Sequence, residues 1–336
     1  MSSGKSKASP SDAGAPRLLP DLPPLAGGGQ VVEIGGRRLQ LSHLDKPFWP
    51  DAGYAKRDLI NHYFRLSEFI LPHLAGRPLS LKRYPGGAGS DFFFQKNAAA
   101  ETPGWIHTER LRHHETGEAV NYIVCDGLPT LLYLANLGCI SQNPWLSALP
   151  RLDRPDIIAL DLDPSDPEDY DGCIEVALLV KKQLDRFGLR GYPKTSGATG
   201  IHVFVPVAPR YSYSQCRRFA EIVAMLGREE RPDLVTLEPA VKKRAGKLYL
   251  DYMQNVRGKT LASVYSPRAR PGAPVSAPLK WAELRPGLRP ADFHIGSMPE
   301  RLARHGDLFA PVLTDRQDLG EALERGSRVL ADLGKP

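Results

Sequence analysis

The sequence predicts a mixed α/β fold, and three stretches carry that prediction. Ile157 to Leu160 form a continuous apolar run that ends in Asp161-Leu162-Asp163-Pro164, which reads as a strand buried on both faces and closed by proline. Val176, Leu179, Val180, Gln183, Leu184 and Phe187 then recur at helical spacing, and Gly188 ends the stripe. Tyr192 to Pro206 follows as strand, glycine-rich turn and strand. Strands interleaved with long helices give an α/β arrangement of mixed sheets. The 336 residues suffice for one large domain or two smaller ones.

Taken in order, residues 1–29 are rich in Ser, Gly, Ala, Pro and Lys and read as a flexible tail, which leaves 30–336 for the folded domain. Val31 to Leu41 reads as a hairpin turning at Gly35-Gly36. Leu59, Tyr63, Leu66, Ile70 and Leu74 mark one amphipathic helix to about residue 74. Lys46 and Lys56 lie before this helix and in its first turn. A helix N-terminus disfavours a lone cation but suits a bound phosphate, which both lysines would then contact; two ordinary surface lysines is the other reading. Pro78 to Pro85 reads as a strand and Gly86 to Gly89 as a loop. In Asp91-Phe92-Phe93-Phe94-Gln95-Lys96 three consecutive phenylalanines cannot all face one core. At least one should turn outward beside the lysine, an arrangement suited to stacking on a base, unless the strand is fully buried.

Trp105 to His114 and Ala119 to Cys125 read as strands, Pro129 to Leu137 as a helix ending at Gly138, and Cys139 to Trp145 as strand or loop. Beyond the glycine-rich turn come a helix from Ser212 to Gly227, strands at Leu234–Glu238 and Lys247–Met253, and an extended basic loop from Ser266 to Pro274.

The chemistry concentrates on the acids of this framework. Side chains alternate along a strand, so Asp161 and Asp163 share a side and Leu162 takes the other. At about 4 Å two carboxylates repel by roughly 1 kcal/mol in water and about 4 in a partly shielded site. A divalent cation turns that repulsion into coordination. Asp251 is the single acid on an otherwise apolar strand, a costly position unless it shares a metal with Asp161 and Asp163. Ser196, Gly197, Thr199 and Gly200 offer two hydroxyls and uncovered backbone N–H groups as an anion cradle, with His202 two residues beyond as a phosphate contact or a structural histidine.

Formal charge is +6, and Lys242 to Arg270 holds eight Lys/Arg against Asp251 alone, which points to an anionic partner such as nucleic acid. Four widely spaced cysteines without a C-x-x-C pair argue against a disulfide framework or structural zinc. With no 18-residue apolar stretch and no signal-peptide core, a cytoplasmic, nucleoid-associated protein without membrane contact is expected.

Together D-L-D, K-T-S-G-A-T-G-I-H, L-Y-L-D-Y-M-Q-N, L-S-H-L-D-K, F-F-Q-K and the Y-S-P-R-A-R-P…W-A-E-L segment resemble the archaeo-eukaryotic primase superfamily. The resemblance is strongest to the polymerase domain of bacterial ligase D and its stand-alone relatives, from about Leu39 to Leu308. It implies a single primase-polymerase domain in which Asp161, Asp163 and Asp251 bind two Mg²⁺ or Mn²⁺ ions, one activating the primer hydroxyl and both stabilising in-line displacement of pyrophosphate. By the same resemblance, Ser196 and His202 contact the triphosphate, and Gln254 and Arg268 line the nucleotide pocket. Arg244 is a basic residue near the active site, and Lys46 and Lys56 hold the downstream 5′-phosphate of a gap or break. Phe93 and Phe94 stack at the single-strand/duplex junction, with Arg83 and Lys96 on the DNA backbone.

Two departures touch the nucleotide: Thr199 stands where many relatives have lysine, and Asn143 where many have histidine. These departures, and the lack of a ligase domain in this sequence, suggest stand-alone gap filling as well as end joining. The function implied is templated addition of one or a few nucleotides, ribonucleotides favoured, at gapped or broken duplex DNA. An ATP-dependent DNA ligase and a Ku-type end-binding protein are the implied partners. The competing readings are a metal-dependent sugar-nucleotide transferase and a non-catalytic module that bridges DNA ends for a ligase.

Overall fold

The computed structural model describes residues 16–22, 25, 27–113, 116–332 and 334. The chain opens with a hairpin of β1 (Gly29–Ile34) and β2 (Arg37–Ser42), joined where Gly35 and Gly36 both take positive φ, as a two-residue turn requires. A short pair, β3 (Pro47–Trp49) and β4 (Tyr54–Ala55), leads into α1 (Lys56–Arg65) and α2 (Ser67–Leu74). The single helix foreseen over this region is therefore two, because Leu66 leaves helical geometry at φ −95° and ψ 7°. Its apolar stripe survives the break, and Leu59, Tyr63, Leu66, Ile70 and Leu74 are all completely buried.

Next come β5 (Leu79–Arg83), β6 (Phe93–Gln95), β7 (Thr108–Arg112), β8 (Ala119–Ile123), α3 (Leu128–Asn136) and β9 (Cys139–Pro144). Strands β6, β5 and β9 form a three-stranded antiparallel sheet, and β7 and β8 a separate hairpin. The rest is built on β10 (Ile157–Asp163), α4 (Tyr170–Arg186), β11 (Tyr192–Thr195), β12 (Ile201–Pro206), α5 (Tyr213–Glu230), β13 (Val235–Thr236) and β14 (Leu248–Asp251). Helices α6 (Met298–His305), α7 (Pro311–Thr314) and α8 (Gly320–Asp332) close the chain.

The central sheet runs β11-β12-β10-β14-β13, antiparallel except for β13 with β14. Helices α4 and α5 cover one face, where Leu250 of β14 meets Gly227 of α5. The other face is left for the acids. One buried apolar cluster extends from Leu22 to Leu330 and joins both sheets.

That cluster includes Leu22 and Leu25, and Leu19 N donates to Arg65 O at 3.0 Å, so these residues dock on α1 and α2. The expected flexible tail of 1–29 does not hold for them: two buried leucines supply the apolar anchor that its overall composition conceals. Residues 1–15, 23, 24 and 26 of that segment lie outside the described residues. Among the described residues no helix is long and apolar enough to cross a membrane.

Candidate active site

The register of the central sheet lines up four polar side chains across four strands. Lys194 on β11 pairs with His202 on β12, His202 with Asp161 on β10, and Asp161 with Asp251 on β14. Directly paired residues project to the same face, so they form one row. Asp161 sits at its centre, with its Oδ1 3.3 Å from His202 Nε2. Burial, then Asp251 and Asp163, push the Asp161 carboxyl up to about 7.

Asp163, two residues on, keeps 47% of its side chain exposed and accepts from Arg244 Nη1 at 2.9 Å. Arg244 is itself buried, lies over the Tyr249 ring at 4.6 Å, and donates to the Pro239 carbonyl. Asp251 accepts from Tyr249 Oη and Met253 N through Oδ1 and from Gln254 Nε2 through Oδ2. Gln254, foreseen along the nucleotide pocket, thus positions a carboxylate. Among the described residues no three His, Cys, Asp or Glu side chains close into a metal-ligating group. Asp163 pairs with Arg244 instead, and three donors hold Asp251.

The glycine-rich turn approaches this row from the β11–β12 end. A Cβ on Gly200 would lie 2.1 Å from the Leu162 carbonyl oxygen, and one on Gly197, at φ 70°, would strike Arg268 and the Ser276 amide. Both glycines are required by close packing. The expectation of an open cradle of N–H groups needs correction, because Ser196 Oγ accepts from the amides of Ala198 and Gly200 at 3.1 and 3.0 Å. A short side chain that reaches its own turn satisfies those donors from within. Arg268 Nη1 donates to the Ser196 carbonyl and ties the basic loop to the turn.

These elements enclose an open cleft of about 890 Å³ whose walls include Asp161, Asp163, Thr199, His202, Asn143 and Arg268. Asn143 is buried and donates to the Ser80 and Ser141 carbonyls at 3.0 Å. Lys82, Phe94 and Arg270 also line the cleft.

A second depression of about 610 Å³ lies on the other side of β5, where Lys46, Lys56 and Arg83 converge with Ser42, His43 and Asn136. Among the described residues no carboxylate lines it. Lys56 Nζ donates to Ser42 O at 2.7 Å and Lys46 Nζ to Pro85 O at 2.6 Å. Burial, then the charges of Lys46 and Arg83, bring Lys56 down to about 8. Three cations facing one hollow repel one another and attract an anion.

All three phenylalanines of the aromatic segment are exposed, at 49, 45 and 58% for Phe92, Phe93 and Phe94. The sequence required only one to be so. Strand pairing sets Phe94 opposite Lys82 and Phe93 opposite Arg83. Lys82 Nζ lies 3.9 Å from the Phe92 ring centroid, and the Arg83 guanidinium 5.1 Å from that of Phe93. Lys96 stands apart from both hollows and contacts His113 Nε2 at 2.7 Å.

Residues 55–309 match the family model of the LigD primase-polymerase domain. The chain belongs to this family. Among curated LigD proteins it is 35% identical over 283 residues to the bifunctional non-homologous end joining protein LigD of Bacillus subtilis. That match covers 84% of this chain and 45% of the relative. It is 30% identical over 325 residues to the multifunctional LigD of Pseudomonas aeruginosa, covering 93% of this chain and 37% of the relative. The chain thus spans less than half the length of these LigD proteins. A solved structure, the polymerase domain from Mycobacterium tuberculosis ligase D in complex with DNA, superposes with a TM-score of 0.77 at 31% identity, covering 83% of this chain and 99% of that one. The LigD primase-polymerase family is one of DNA nucleotidyltransferases, which sets aside the sugar-nucleotide transferase reading.

Sequence reasoning missed Lys194, Lys82 and Arg270. Lys194 had a signal: it is a lone charge between Pro193 and Thr195 on a short buried strand, the same argument that singled out Asp251.

Proposed function

We propose that this chain extends a DNA primer by templated nucleotidyl transfer at short gaps or broken ends, anchoring itself on the downstream 5′-phosphate. The observation that carries the reading is the β5–β6 ribbon, which separates two hollows that both attract anions. Neighbouring residues on a strand face opposite ways. Lys82 and Phe94 therefore serve the acidic cleft, while Arg83 serves the pocket of Lys46 and Lys56. A primer end and nucleotide on one side, and a phosphorylated strand end on the other, would meet across this aromatic divider.

The charge of the acids suits divalent ions, although among the described residues the three carboxylates do not close on a common point. Three carboxylates gather on one face, and Asp161 is pushed toward protonation by the other two as well as by burial. Asp161, Asp163 and Asp251 would hold two Mg²⁺ or Mn²⁺ ions. When bound, such ions lower the pKa of an attacking hydroxyl and stabilise the departing pyrophosphate. The chain's own side chains supply the rest. Arg268, Lys82 and Arg270 bring positive charge to a triphosphate, His202 contacts it, and Asn143 and Thr199 border the nucleotide. Tyr249 and Gln254 orient Asp251, and Arg244 supplies a countercharge to Asp163. Exposed Phe93 and Phe94 would stack at the strand junction.

Ribonucleotide preference, work with an ATP-dependent ligase and a Ku-type end-binding protein, and a place at the nucleoid belong to the same proposal. The relatives' names support it through end joining. The test is a Lys46→Ala, Lys56→Ala double variant on gapped DNA with and without the 5′-phosphate. The wild type should bind the phosphorylated gap roughly tenfold or more tightly, since each charge-assisted hydrogen bond contributes about 1.5–3 kcal/mol, and the variant should lose that advantage. Equal losses on both substrates, or none, would sink the pocket assignment.

A further inference from the structure

Trp49 is completely buried and ends β3, three residues after Lys46. Its place in the sequence would assign it to the lysine pocket, which Lys46 and Phe48 both line. Its one polar side-chain atom points elsewhere. The indole Nε1 donates to the carbonyl of Arg268, 219 residues along the chain, at 3.0 Å. An indole nitrogen can only donate, so the sense of this bond is fixed whatever the pH. The buried Phe48 ring meets the indole edge to face, with 6.1 Å between centroids and 62° between planes, and so fixes its direction.

The basic loop needs such an anchor. Ser266 to Pro274 holds no helix or strand, and Pro267, Pro271 and Pro274 have no amide hydrogen to give. The loop is tied to β11 at its base, where Ser276 Oγ donates to the Thr195 carbonyl at 2.8 Å and Ala277 N to Thr195 Oγ1 at 3.0 Å. Arg268 bonds within the loop, its amide to the Pro274 carbonyl and its carbonyl to the Arg270 amide. Those local bonds shape the loop without placing it on the protein. In the cleft Lys82, Arg268 and Arg270 crowd like charges together, a repulsion that pushes the loop away from β5. Trp49 opposes that push, and Asp51, two residues on, accepts from the Gly272 amide at 2.6 Å. With the backbone held, the Arg268 guanidinium reaches the Ser196 carbonyl of the glycine-rich turn.

We propose that Trp49, assisted by Asp51, is a positioning residue for nucleotide binding: its indole N–H fixes the loop backbone at Arg268 and keeps that guanidinium in the cleft. The proposal rests on the reading of Arg268 as a triphosphate contact. The short segment from Lys46 to Asp51 thus serves both hollows. Lys46 and Phe48 face the lysine pocket, whereas Trp49 and Asp51 hold the loop of the nucleotide cleft.

The experiment uses the full chain on gapped DNA and reads the KM for ATP, kcat and affinity for a 5′-phosphorylated end separately. Arg268→Ala should raise the KM for ATP about tenfold, the loss of one hydrogen bond to a charged group. Trp49→Phe keeps a buried ring and removes the donor; it should raise the KM about threefold or more, with kcat changing little. Affinity for the phosphorylated end should stay at the wild-type value, although Trp49 lies beside the lysine pocket in sequence. In the Arg268→Ala background Trp49→Phe should add nothing to the KM, a result that a general packing defect would not give. A wild-type KM in Trp49→Phe, a loss that multiplies fully with Arg268→Ala, or an equal loss of phosphorylated-end affinity would each overturn the inference. If Trp49→Phe does not fold, the exposed Asp51→Ala decides: a smaller rise in KM that vanishes in the Arg268→Ala background supports the inference, and a wild-type KM overturns it. An unchanged KM in Arg268→Ala would instead overturn the triphosphate reading beneath it.

Discussion

Lys56 shows how one side chain can be tuned for an anion. It is almost fully buried, and its ammonium titrates at about 8 because burial, Lys46 and Arg83 all oppose its charge. The sign follows directly. Below about 8 the ammonium is present and a phosphate neutralises the repulsion; above it the empty pocket holds an amine, and binding must recruit a proton. Affinity for a 5′-phosphorylated end should therefore fall as pH rises through 8, whereas Lys56→Arg, which stays charged, should flatten the profile. A fluorescence-anisotropy titration between pH 7 and about pH 9.5 would decide, and identical profiles would contradict this account. Asp161 gives the complementary case. Asp161→Asn removes one of three crowded carboxylates, so without divalent cation it should raise stability by roughly 1 to 2 kcal/mol while abolishing extension. Adding Mn²⁺ should raise the wild-type Tm and leave the variant's nearly unmoved. Calorimetry showing equal cation effects on both would argue against a metal role for this residue.

Elements explain which of these features could be read beforehand. The hairpin turning at Gly35-Gly36, the buried β10, the long α4 and α5 and the β11–β12 turn follow from short-range patterns: glycines where φ is positive, apolar stripes at helical spacing, and alternation around the aspartates. Register does not follow, since nothing local tells Asp161 that Asp251 and His202 will be its neighbours. The lone charge of Asp251 does argue for its company with Asp161 and Asp163, but nothing in the sequence places His202 and Lys194 in the same row. The break at Leu66 and the docking of Leu22 and Leu25 likewise depend on tertiary packing. Close approach was only half legible. Sequence places Gly200 in an anion cradle, but its packing against the Leu162 carbonyl is the stronger constraint. Gly200→Ala must push the turn away from β10 and should cost about 2 kcal/mol or more, measured by urea unfolding. A change under about 0.5 kcal/mol would mean that the turn gives way freely.

At the scale of the whole molecule, the fold brings two cation-rich hollows to either side of one thin ribbon, and among the described residues acids line the cleft but not the lysine pocket. Burial of the remaining face under α4 and α5 leaves the cleft, the ribbon and the lysine pocket as a surface suited to DNA. Phosphate contacts release counterions, so log affinity for gapped DNA should fall linearly with log salt concentration, and the Lys46→Ala, Lys56→Ala variant should show a slope shallower by about 1 to 2. The most direct measurement is extension of a labelled primer across a short gap carrying a downstream 5′-phosphate, with Mg²⁺ or Mn²⁺ and with ribo- or deoxynucleotides. It should be run beside an Asp161→Ala, Asp163→Ala control. The account predicts metal-dependent, templated addition that favours ribonucleotides, improves with the phosphate and disappears in the control. No addition by the wild type, with tight binding to phosphorylated ends retained, would contradict it and make the chain a DNA-end binding protein.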